Sequence, residues 1–149
     1  MITTAALTLG LMLTGCSSGP SPEEVTEYST EMEEEIGDFT NTMTIFYILN
    51  TEAVGDPAVM STNEWIVDVS ETLIDMEGHI EDVRAITPPE GLETSHDYAL
   101  KAMDSYEYVV INYPDSLADP EIMNLCMDAL EEANKNIEKA GLELNKLTD

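Results

Sequence analysis

Two histidines, nine methionines and two cysteines are the side chains in this sequence with distinctive donor chemistry. His79, His96, Met76 and Glu35 fall near one another in helical register, and imidazole, thioether and carboxylate donors of that kind can hold a transition metal between packed helices. The chain has no paired Glu-x-x-His motif, no Cys-x-x-Cys-His run and no dense His/Cys cluster, so a metal is the subordinate reading and no cofactor is expected. His96 has a plainer role. It lies on an apolar face between Leu92 and Ala99, and counting across the next connection sets it level with Asn136. An imidazole and an amide placed so can satisfy each other inside an apolar layer, which makes His96 and Asn136 a candidate structural polar pair.

The remaining candidates also favour packing over chemistry. The seven methionines beyond residue 16 recur at core spacing, as plastic filler rather than a copper cluster. Cys126 shares an inward face with alanines and reads as a small buried hydrophobe. Asp115, Asp119 and Glu121 could chelate calcium, but Asp119 as a helix cap and Glu121 in a first turn account for two of them. The run Glu33-Glu34-Glu35 reads as a solvated face. No Ser/His/Asp spacing, nucleophile elbow, glycine-rich phosphate loop or zinc motif is present, so no catalytic residue and no enzyme activity is expected.

The elements that would position these residues are punctuated clearly. Ser21-Pro22-Glu23-Glu24 is a capping box opening a long amphipathic helix, whose apolar residues recur at steps of three and four from Val25 to Ala53. Gly55-Asp56-Pro57 breaks it and offers Asp56 as the next cap. Trp65 to Val83 marks a second helix, stopped before Thr87-Pro88-Pro89. Leu92 to Val110 marks a third, ending by Tyr113-Pro114, and Asp119-Pro120-Glu121 starts a fourth that is rich in alanine and is expected to approach its neighbours closely. Short connections between amphipathic helices predict an all-α, up-down-up-down antiparallel four-helix bundle over residues 22–149.

Composition narrows the partners. Thirty-one Asp and Glu stand against five Lys and Arg, a formal charge of −26 in 149 residues. That surface repels nucleic acid and anionic lipid headgroups, and its self-repulsion calls for screening salt, which suggests a saline source. Apolar content of 43% is ample for a core.

Residues 1–15 contain no charged side chain and end in Leu13-Thr14-Gly15-Cys16. This stretch resembles the signal peptide and lipobox of prokaryotic lipoproteins, although no Lys or Arg precedes the apolar run. The resemblance implies cleavage before Cys16, a lipid on its thiol, and residues 16–21 as a short tether. Only Cys126 then remains, so no intrachain disulfide is expected. Residues 87–110, with a Pro-Pro-Glu hinge before a helix bearing an early histidine, resemble the middle hairpin of small uncharacterised helical-bundle lipoproteins. Together these imply an exported protein anchored by lipid to the outer face of the cell membrane, or in the periplasm or outer membrane where two membranes exist. The expectation is a non-catalytic binding or structural module of the cell envelope that contacts an envelope or surface protein. The alternative is a bundle that takes a small ligand or a metal near His79 and His96.

Overall fold

The structure is a computed structural model that describes residues 19–146. Residues 1–15 and Cys16 lie outside the described residues. The fold is all-helical, with four long helices and no strand among the described residues. Helix α1 spans Pro22–Gly55, α2 Asn63–Ala85, α3 Glu93–Ser116 and α4 Pro120–Asn145, with a 3-10 turn, Pro57–Ser61, between α1 and α2. No helix among these residues is long and apolar enough to cross a membrane.

Local chemistry sets the helix ends. The Ser21 side chain accepts from the Glu24 backbone N–H at 3.2 Å and the Glu24 carboxylate accepts from the Ser21 N–H at 2.7 Å, the reciprocal capping box expected of this sequence. Asp56 caps the 3-10 turn rather than α2, which is capped by the Thr62 hydroxyl on the Trp65 N–H. The Asp119 carboxylate accepts from the Glu121 N–H at 2.8 Å and opens α4. Between α2 and α3 the chain turns at Gly91, whose φ of 96° is the left-handed conformation that suits glycine. A Cβ there would lie 3.0 Å from the Pro20 ring, so the segment entering α1 lies against this turn.

The core is continuous along the helices, with Met76, Ile80, Val83, Leu92, Met103 and Val109 nearly or wholly sealed from solvent. Three ring contacts join α1 to α3 in the same order along both helices: Tyr28 with His96, Phe39 with Tyr106 and Phe46 with Tyr113. The Trp65 indole N–H donates to the Leu49 carbonyl at 3.1 Å, tying the start of α2 to the later part of α1. Arg84 joins α2 to α3 by a two-pronged bond to Glu107 and a further bond to Asp104 at 2.7 Å.

The third helix runs past its expected end. Pro114 lies inside it, and the helix continues to Ser116. Proline there removes the donor that would meet the Val110 carbonyl, but the earlier turns are unaffected. The hinge to α4 is correspondingly later, and near the start of α3 the facing α4 position lies about one turn beyond the sequence count. Ser95 therefore donates to the Ala140 carbonyl at 2.8 Å, at the level where His96 was expected to meet Asn136.

Candidate functional site

His96 and Asn136 are both buried, yet the expected bond between them is replaced by others. The His96 Nδ1 lies 3.1 Å from the Tyr28 hydroxyl, with the two rings edge-on. Asn136 donates to Glu132 Oε1 at 3.3 Å and accepts from Lys139 Nζ at 3.4 Å, both on its own helix. The slipped α3–α4 register is the physical reason. Burial pushes the Tyr28 phenol up to about 12 and pushes the His96 imidazole down, with the field of Asp97 opposing the latter weakly. Both groups are then neutral near pH 7, and the phenol and Nδ1 share one hydrogen bond whose donor is set by the imidazole tautomer. His96 thereby joins α3 to α1 through Tyr28.

The four donors Met76, His79, His96 and Glu35 do not gather as one metal set. Met76 is fully buried in the core, and His96 is engaged by Tyr28. Glu35 and His79 do meet, and Asp82 joins them in place of the other two, with one donor atom from each lying within 4.8 Å of the rest. Glu35 is half-buried here rather than part of a uniformly solvated Glu33–Glu35 run. Asp82 was missed, although its spacing from His79, three positions along one helix, placed both on one face.

Cys126 is buried, and its thiol is pushed up by that burial, which disfavours the reactive thiolate. Asp119 is occupied as the α4 cap.

A concavity lies between α1 and α4, although the alanine-rich α4 was expected to approach its neighbours closely. Cα atoms of these helices nowhere come within 8 Å of each other, whereas α4 packs intimately on α3 through Ala133 and Ala140 against a face bearing Ala99 and Ala102. The resulting groove has a volume of about 620 Å³. Met32 and Ile36 line one wall, Ile137 and Leu144 the other, and Ser95 contributes to the lining from α3. A smaller recess shares Ile36, Thr40 and Ile137 with it and continues the seam toward Phe39 and Met103. Glu33 is the one acidic residue along the main groove; Ser29, Thr40 and Asn41 supply uncharged polar groups.

Two glycines face this space from opposite walls, Gly37 on α1 and Gly141 on α4. Each sits inside a helix, where glycine costs about 1 kcal/mol relative to alanine. A Cβ added at either would meet nothing within 4 Å. Neither glycine is therefore required by a neighbouring atom within the protein.

No family model, curated protein or solved structure matches the chain.

Proposed function

We propose that this protein is an exported lipoprotein, held to the envelope by lipid on Cys16, whose bundle captures one aliphatic chain of a neutral or cationic amphiphile between α1 and α4. The observation that carries this reading is the apolar groove lined by Met32, Ile36, Ile137 and Leu144, with Gly37 and Gly141 on its two walls. Its volume falls within the ~300–1,000 Å³ typical of small-molecule sites. A net charge of −26 disfavours an anionic head, which sets the sign of the ligand. The same groove favours a small ligand over the envelope-protein partner that the sequence first suggested.

An up-down-up-down arrangement supports the geometry. The parallel order of the α1–α3 ring contacts, and the pairing of Ser95 with Ala140 and Tyr106 with Asn134, suit antiparallel sequential neighbours. In that arrangement the groove opens toward the end where Pro20 enters, since Tyr28 and Leu144 both line it. Five residues from Ser17 to Ser21 reach at most ~18 Å, so an anchor on Cys16 would keep the groove near the bilayer and its amphiphiles. The role is binding and not catalysis: the His96 ring is committed to Tyr28 and the Cys126 thiol is buried.

Replacing Cys16 with Ser should move the protein from the membrane pellet to the soluble fraction and remove the mass of the lipid. Retention in the pellet, with an unlipidated wild-type mass, would contradict the anchor. The released protein should bind one dodecyltrimethylammonium per chain below its micelle concentration and at least ten times more weakly bind dodecanoate. Equal binding of both, or undiminished binding by a Gly37→Leu/Gly141→Leu variant, would contradict the groove reading.

A further inference from the structure

We propose that Glu35, His79 and Asp82 form a divalent transition-metal site that clamps α1 to α2. His79 and Asp82 stand at i and i+3 on α2, and Glu35 reaches them from the adjacent α1. One donor atom from each side chain lies within 4.8 Å of the other two, yet no hydrogen bond or ion pair joins any of the three among the described residues. Two carboxylates and an imidazole thus converge around a space without closing on one another. Donors ~2.1 Å from a tetrahedral metal stand ~3.4 Å apart, so moving each donor atom by under about 1 Å would bring all three into coordination.

The donor set selects the ion class. One imidazole and two carboxylates suit a first-row divalent ion such as Zn²⁺ better than Ca²⁺ or Mg²⁺, which prefer oxygen alone. Three protein ligands leave at least one position for water. The negative field of the whole molecule raises the local cation concentration, and the imidazole distinguishes this site from the acidic surface around it. The site is separate from the α1/α4 groove, on the α2 side of α1, and its test does not depend on the groove ligand.

Chelator-treated full-length protein would be titrated calorimetrically with Zn²⁺ in excess Mg²⁺, with circular dichroism confirming that each variant remains helical. One Zn²⁺ per chain is expected, with affinity falling at least about 100-fold in His79→Ala and in Glu35→Gln, because each removes a direct ligand rather than an outer partner worth 10–100-fold. Asp82→Asn should weaken binding by at least about 100-fold on the same grounds. Co²⁺ bound to the wild type should show visible absorption bands that disappear in His79→Ala. Absence of Zn²⁺ binding, or several weak Zn²⁺ sites left unaltered by His79→Ala, would overturn the assignment and leave only diffuse attraction to carboxylates.

Discussion

At the scale of single residues, the Tyr28–His96 contact makes a prediction with a definite sign. Burial lowers the imidazole pKa in the folded protein relative to its ordinary ~6.5 in the unfolded chain. Between those two values the unfolded state binds more protons, so this contribution to stability is fully present above ~6.5 and is lost as pH falls through the depressed folded value. Comparing wild type with His96→Leu isolates the effect, because the carboxylates common to both cancel in the difference. The stability of wild type relative to the variant should decline from pH 7.5 to pH 5 in chemical denaturation. A relative gain at acid pH would mean that Asp97 stabilises the imidazolium and that desolvation is the lesser influence. Tyr28→Phe should cost about 1–3 kcal/mol at pH 7, since it leaves the buried Nδ1 without its hydrogen-bond partner. The sequence placed His96 in the core because its register among Leu92 and Ala99 is periodic. Its partner was not legible, because a phenol 68 positions away competes with an amide, and a one-turn slip at a proline decides between them.

At the scale of elements, glycine separates backbone need from space. Gly91 holds φ of 96° with Pro20 against it, so Gly91→Ala meets both left-handed strain and a crowded Cβ. It should destabilise by about 1 kcal/mol or more. Gly37→Ala adds a methyl to open space inside a regular helix and should stabilise by about 0.5–1 kcal/mol. Opposite shifts in thermal midpoint are therefore expected from the same chemical change, and a loss of stability in Gly37→Ala would show that α1 needs the glycine for its own fold. The helix starts at Ser21 and Asp119 were readable because capping is a local bargain between a side chain and nearby N–H groups. The end of α3 was not, since Pro114 forbids one hydrogen bond without forbidding the helix. The alanine pattern of α4 also underdetermined its neighbour: close approach was expected in general, and α3 alone receives it.

At the scale of the whole molecule, the charge of −26 and the groove act together. Residues 39–51 of α1 carry no charge, and Ile45, Tyr47 and Ile48 are exposed there, while acidic residues crowd the first turns of the same helix. With five cations among 36 charged side chains, salt screens repulsion more than it weakens attraction. The thermal midpoint should rise by several degrees between low salt and ~1 M sodium chloride, where the screening length falls to ~3 Å. A flat or falling midpoint would mean that pairs such as Arg84–Glu107 outweigh the repulsion. The sequence made the helical class and the charge legible because both are summed over many residues. The open seam depends instead on which two helices fail to meet, a property of the assembled bundle. Whether this seam holds a ligand can be read by native mass spectrometry of the protein extracted from the membrane fraction in polymer discs. Wild type should carry one neutral or cationic amphiphile per chain in addition to any covalent lipid, and Gly37→Leu/Gly141→Leu, equally helical, should carry none. A wild-type protein without such an adduct, or a variant that retains it, would mean that the seam is not a ligand site.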